Sequence, residues 1–197
     1  MAAVELDALT RNQAVRRARV IQAAMELAHE GGYDAVQMRD VAARAQVALG
    51  TIYRYFSSKD HLLAACQVEV WDGLSRRYAE RPPTQATPAE RVVDVLRRAT
   101  RGAEVDPQRT AALVTATSSP DPAVRECQQQ VMAYISQVLS DAMGDLDPAF
   151  KEQVVVCLRD VWFAALLGWV NGWDDVSVVG DKVESAARLV LARVDAK

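Results

Sequence analysis

Apolar residues recur every three or four positions along most of the chain, a spacing that lays them in a stripe down one face of an α-helix. Val20, Ala24, Leu27 and Ala28 make one such stripe, with Ile21 and Met25 beside it, and Val131, Ile135 and Leu139 belong to another. Short β-branched runs such as 154–156 lie inside longer helical patterns, and nothing alternates with period two for long enough to build a sheet. Caps mark where helices begin. Thr87-Pro88-Ala89-Glu90 is a capping box with proline at the first helical position, and Asp106-Pro107, Asp121-Pro122 and Asp147-Pro148 each set a carboxylate against exposed N–H groups and the positive end of a helix dipole. Gly31-Gly32, Gly144 and Gly172 stand where these patterns stop. The reading is nine helices, over 11–30, 38–45, 49–56, 59–80, 88–104, 107–117, 122–143, 148–172 and 178–193, with no strand and no flexible linker.

Two of these helices are short and close together. Met38, Val41, Ala42 and Ala45 face inward on the first and Ile52 and Phe56 on the second, with only Gln46, Val47 and Ala48 between them. These are helix-turn-helix dimensions, in which the second helix presents its N-terminal residues to the major groove of DNA. Gly50 lies in that helix at a cost of roughly 1 kcal/mol relative to alanine, and close backbone approach to a phosphate is what a glycine there would gain. Tyr53 and Tyr55 add hydroxyl donors and Lys59 an ammonium, a row suited to the sugar-phosphate backbone.

Charge supports that placement. The 197-residue chain carries a formal net charge of −3, yet residues 11–59 hold eight Lys or Arg against four acids, a net of +4 on an otherwise acidic body. Arg11, Arg16, Arg17 and Arg19 crowd the first turns of the first helix. Half the residues are hydrophobic and a quarter charged, the proportions of a globular chain. Cys66, Cys127 and Cys157 are widely separated and make neither a disulfide framework nor a thiolate metal site. His29 and His61 are the only histidines and lack a cysteine or carboxylate at metal-like spacing, and no phosphate-cradling glycine loop is present, so an enzyme, a metal and a cofactor are not expected. The longest uninterrupted apolar run, 161–170, is too short for a bilayer and the start of the chain is unlike a signal peptide, which leads to the expectation of a cytoplasmic protein without a membrane partner.

G-G-Y-D-A (31–35), M-R-D-V-A (38–42) and G-T-I-Y-R-Y-F-S-S-K (50–59) closely resemble the DNA-binding domain of TetR-family repressors. The resemblance implies a homodimer of all-α subunits, each with an N-terminal three-helix DNA-binding domain (1–59) and a C-terminal helical bundle (60–197) for ligand binding and dimerisation, released from palindromic operator DNA by a small-molecule effector. The family's DNA contacts then fall on Arg39, Gly50, Thr51, Tyr53, Arg54, Tyr55 and Lys59. Departures are clear: Gln37 stands where the family commonly has a capping Ser or Thr, Gln46 occupies a turn position commonly held by glycine, and Ala48 and Leu49 remove polar contacts. A narrower similarity, carried by V-Q-M-R (36–39), S-K-D-H-L-L (58–63) and D-V-W-F-A-A-L-L-G-W (160–169), is to actinobacterial repressors of steroid catabolism, which respond to steroid coenzyme A thioesters.

In the second module Trp71, Leu96, Val114, Met132, Ile135, Trp162, Phe163 and Leu166 are the candidate walls of a ligand pocket, and Asp160 a candidate polar partner. The helix from Pro148 is apolar nearly all round over 161–170, so a second subunit is expected to cover part of it. Leu167, Val183, Ala186, Ala187 and Val190 are the candidate dimer contacts. A ligand- or partner-binding bundle without DNA-binding activity is the alternative from a different functional class.

Overall fold

The structure, a computed structural model, describes residues 11–195, and among these it contains nine helices and no strand. They are α1 (Arg11–Ala35), α2 (Met38–Ala45), α3 (Leu49–Tyr53), α4 (Lys59–Glu80), α5 (Pro88–Val105), α6 (Pro107–Ala116), α7 (Pro122–Met143), α8 (Pro148–Val170) and α9 (Val176–Asp195). Every cap anticipated from the sequence is made. Thr87 accepts from Glu90 N while Glu90 answers to Thr87 N, both at 3.2 Å, and Asp106, Asp121 and Asp147 accept from Arg109 N, Ala123 N and Phe150 N.

Two boundaries differ from the sequence reading by three residues or more, the others by two at most. α1 runs formally to Ala35, but Gly31 (φ −153°) and Gly32 (φ 68°, ψ −156°) are not helical, so the regular helix stops at the glycine pair and a short second piece follows a kink. α3 ends at Tyr53 rather than at 56, because Ser58 takes an extended conformation to cap α4, accepting from His61 N at 3.1 Å, and Phe56 turns back into the core.

Two buried clusters organise the chain. The first joins α1, α2 and α3 to the start of α4 and also takes in Ala112, Leu113 and Ala116 of α6 and Val124 and Cys127 of α7. The second holds the rest of α4 with α5, α7, α8 and α9. A division after Lys59 therefore cuts the first turn of a continuous helix. The head is seated on α6, which packs along α1. α9 lies against α5 and α8, and α7 against α4.

α8 corrects the estimate of apolar length. Arg159 and Asp160 bound the run counted in the sequence, yet by length and composition the helix as a whole would suffice to cross a membrane, its most apolar 18 residues having a mean hydropathy of 1.5 and a third of them being buried inside the chain. It packs as a bundle helix: Val154, Val155, Leu158, Trp162, Ala165 and Gly168 face inward, while Val156 and Phe163 remain exposed.

Candidate DNA interface and effector cavity

α2 and α3 meet in a tight turn. Gln37, in the N-cap position of α2, makes no cap hydrogen bond and donates from Nε2 to Asp34 O instead. Gln46 closes α2 in the left-handed conformation (φ 54°, ψ 48°), the one non-glycine residue with positive φ among the described residues. A side chain there stores about 1 kcal/mol of backbone strain that a glycine would not. Ile52 and Phe56 anchor α3 in the head core, fully buried, and this fixes what its other face shows.

On that outer face Gly50 is exposed, and a Cβ built on it would meet nothing within 4 Å. No packing inside the chain calls for glycine at this place. Arg39, Tyr53 and Arg54 are exposed around it and Thr51 is half-buried; no hydrogen bond or ion pair engages the Arg39, Tyr53 or Arg54 side chains among the described residues. Tyr55 is different. Its ring packs on the head core and tilts against Phe56 at 6.2 Å, leaving it only partly accessible.

Lys59 is not a loose cation. Its Nζ donates to Tyr33 O at 3.2 Å and sits 3.6 Å from the centre of the Tyr33 ring, whose hydroxyl donates to Asp60 Oδ1 at 2.5 Å. Burial, followed by the hydrogen bond to Asp60, pushes the Tyr33 phenol up to about 12. Tyr33 and Asp60 thus hold the ammonium in place, a support invisible from the linear motif because Tyr33 is 26 residues away. Among the arginines of α1, Arg16 and Arg19 point into solvent, whereas Arg17 pairs with Glu69 at 3.1 Å and lies over the Phe56 ring, bracing the head. The side chain of Arg11 lies outside the described residues.

The second module encloses a cavity of about 710 Å³. Trp71 and Leu74 of α4, Val114 of α6, Met132 and Ile135 of α7, and Trp162, Phe163 and Leu166 of α8 form its apolar wall. Trp71 and Trp162 meet edge to face at 5.4 Å, and the Trp162 indole N–H is buried without a hydrogen-bond acceptor. Leu96 does not reach the cavity; it is packed in the core behind it. Asp160 is exposed and paired with Arg159 at 2.8 Å, so it is not a wall residue.

Sequence reading missed the basic rim. Arg77 of α4 and Arg81 just after it, Arg98 and Arg101 of α5, Arg109 of α6 and Arg159 of α8 all border the cavity, with Glu80 the one acid among them. Arg98, Arg109 and Arg159 have carboxylate partners, while no ion pair engages Arg77, Arg81 or Arg101 among the described residues. These positions are scattered over 83 residues, so only the assembled bundle brings them to one mouth.

The candidate dimer contacts divide. Val183 and Ala187 are fully buried in the subunit's own core and cannot reach a neighbour, a correction to the sequence reading. Both belong to the buried cluster that α9 shares with α5 and α8. Leu167, Ala186 and Val190 are half-buried, and Val156 and Phe163 of α8, Trp173 beyond its end and Leu189 of α9 are exposed.

Both histidines lie at the seam between the two modules. His29 Nδ1 meets Asp106 Oδ2 at 2.9 Å; His61 Nδ1 accepts from Ser57 N at 3.1 Å and lies 3.2 Å from Ser57 Oγ, which itself donates to Asp121. The serine bridges histidine and carboxylate here, the reverse of the order in which a histidine would pass a proton from serine toward an aspartate. Among the described residues no group of three or more His, Cys, Asp or Glu is placed to hold a metal ion.

Comparison with known proteins agrees with this layout over most of the chain. Residues 20–66 match the model of bacterial regulatory proteins of the tetR family, and residues 86–190 match that of the tetracyclin repressor-like C-terminal domain. The HTH-type transcriptional repressor KstR of Rhodococcus jostii (strain RHA1) is 35% identical over 189 residues, covering 95% of this chain and 88% of that one. KstR of Mycobacterium tuberculosis is 32% identical, covering 93% and 84%. A TetR transcriptional regulator from Rhodococcus sp. RHA1 superposes with a TM-score of 0.81 at 32% identity, over 92% of this chain and 98% of that structure.

Proposed function

The chain belongs to the TetR family as a ligand-responsive, DNA-binding transcriptional repressor that works as a dimer on operator DNA, and from that premise we propose which surfaces do the work and what kind of effector releases it. α3 is the reading element. Gly50, Thr51, Tyr53 and Arg54 meet the groove and its phosphates, Arg39 reaches the backbone from α2, and Lys59, steadied by Tyr33, closes the contact from the start of α4. Tyr55 contributes from its accessible edge. The open space over Gly50 is the observation that carries this assignment.

The effector has two chemically different ends. A cavity walled by tryptophan, phenylalanine and aliphatic side chains takes a large apolar body, and the arginine rim takes a polyanionic group. A steroid or fatty-acyl coenzyme A thioester combines both, with its acyl part inside and its phosphates at Arg77, Arg81 and Arg101. The exposed apolar strip of α8 and α9, with Leu167, Ala186 and Val190 at its edge, meets its copy in the dimer. The functional division falls in the first turn of α4, the head at 1–59 and the body at 60–197, and the protein acts in the cytoplasm, on the DNA there, without an enzymatic step.

Binding of the purified protein to duplex DNA from upstream of its own coding region tests this. Gly50→Ala and Arg54→Ala each weaken that affinity by about tenfold or more with the dimer intact, Arg54→Ala leaving the melting temperature unchanged and Gly50→Ala leaving it unchanged or higher. Unaltered affinity in both variants, or no binding at low salt, contradicts the assignment.

A further inference from the structure

The apolar wall of the cavity contains a polar atom that the chain itself does not satisfy. Of the buried side-chain nitrogens and oxygens without a hydrogen bond among the described residues, Trp162 Nε1 is the one that belongs to a wall residue. Trp162 is only 7% exposed, and Arg159 and Leu166, about one helical turn to either side on the same face of α8, border the cavity with it. Trp71 meets the indole edge to face at 5.4 Å and offers it at most a ring face, a poor substitute for an oxygen. The hydroxyls of the wall are already engaged: Tyr78 donates to Val95 O at 2.7 Å, Thr100 to Leu96 O at 2.8 Å, Thr110 to Gly102 O at 3.0 Å and Thr117 to Val114 O at 2.7 Å. The side-chain amides of Gln67 and Gln128 bond to each other at 3.1 Å. A buried N–H without an acceptor gives up its water on folding and regains nothing, which is why such groups are few in native structures.

We propose that Trp162 is a specificity-determining residue of the cavity, its indole N–H pairing with a carbonyl oxygen carried on the apolar body of the effector. This rests on the reading above that the cavity holds the effector, and it narrows that reading from any large apolar body to one that bears an acceptor. The open space beside Trp162 is that of the cavity, so the missing acceptor arrives with the guest. A ketone fits because it accepts without donating. A hydroxyl brings a further donor to a wall whose own hydroxyls already occupy the carbonyls of Val95, Leu96, Gly102 and Val114, and a plain hydrocarbon ring leaves the N–H as it is in the free chain. An apolar wall alone separates guests of similar shape weakly, whereas a buried hydrogen-bonding group separates a guest that pairs with it from one that does not. The arginine rim holds every thioester alike through its phosphates. Trp162 distinguishes among them by the acyl part.

Calorimetric titration of the full-length dimer with a steroid coenzyme A thioester that carries a ring ketone, and with the same thioester lacking it, gives the first arm of the test. The parent binds the ketone form about tenfold more tightly. Trp162→Phe keeps an aromatic ring in the wall and removes the donor; it binds the two forms within about twofold of each other, and the form without the ketone within about threefold of the parent. Indole N–H spectra of the parent give the second arm, which needs no variant to fold in order to report on affinity. The Trp162 signal, assigned among the four tryptophans with Trp71→Phe, Trp162→Phe, Trp169→Phe and Trp173→Phe, lies further downfield with the ketone thioester than with the other. A steroid ketone without coenzyme A separates this inference from the effector class: if it moves the Trp162 signal downfield while neither thioester binds, the thioester reading falls and the role of Trp162 stands. Equal affinity of the parent for both thioesters, a ketone preference that survives Trp162→Phe, or a Trp162 signal that answers alike to both thioesters overturns the inference, and so does a signal that no ketone moves.

Discussion

The head and the body are both helical bundles of about the same apolar content, and they are packed in opposite ways. The head core is built largely from alanine, valine and leucine in close contact, with Phe56 as its largest buried ring. The body places tryptophan, phenylalanine and methionine around about 710 Å³ of open space. A close-packed core fixes side chains to a fraction of an ångström and suits an element that must present Gly50 and its neighbours in one register. A hollow core gives up packing contacts, and with them stability, in return for a site that accepts a large apolar guest.

Truncations break or sharpen that contrast, the largest effect first. Phe56→Ala in the head removes a fully buried ring and is expected to cost about 3–5 kcal/mol in denaturant unfolding, whereas Phe163→Ala on the cavity wall, where the ring is 40% exposed, costs about 1 kcal/mol or less while weakening thioester binding. Equal losses in the two variants remove the distinction. Next comes Gln46→Gly, which relieves the left-handed residue and raises stability by about 1 kcal/mol; a drop in the unfolding midpoint means the Gln46 side chain contributes something its backbone geometry does not reveal.

The seam between the regions gives the smallest effect, and its sign is definite. Burial, opposed by Asp121 and Glu126 and reinforced by Arg17, lowers the His61 pKa below its ordinary 6.5, and Nδ1 accepts from Ser57 N only while that nitrogen is unprotonated. The unfolded chain therefore binds this proton more readily than the folded one. The stabilisation is complete above the ordinary value and is lost as pH falls below 6.5 toward the folded pKa. Asp121, held low first by Ala123 N–H and then by the Ser57 and Ser58 hydroxyls, adds a second loss only below its ordinary 3.8. Unfolding of the parent chain and of His61→Asn between pH 7.5 and 5 isolates the histidine: the parent loses stability on acidification and the variant loses less.

The same contrast explains what the sequence disclosed. Helix starts were legible because a Thr or Asp followed by proline leaves few other local structures, and all four such caps formed. The strain at Gln46 was legible because a helix-turn-helix needs a left-handed residue there. In the body only composition could be read. Trp71, Trp162 and Phe163 stood out as large apolar residues, and they reached the cavity wall, but Leu96 looked the same and went into the core behind them. Helical periodicity marks the inward face of α9 without saying what covers it, so Val183 and Ala187 were assigned to a partner when the subunit's own core covers them. The arginine rim and the His29–Asp106 contact join residues up to 82 positions apart and carry no local signal.

The most direct measurement is a titration of the protein bound to its own upstream duplex with a steroid coenzyme A thioester, following duplex anisotropy and the fluorescence of Trp71 and Trp162 in the same cuvette. The account predicts that the tryptophan signal saturates and the duplex is released over the same concentration range. A saturated tryptophan signal with the duplex still bound contradicts it.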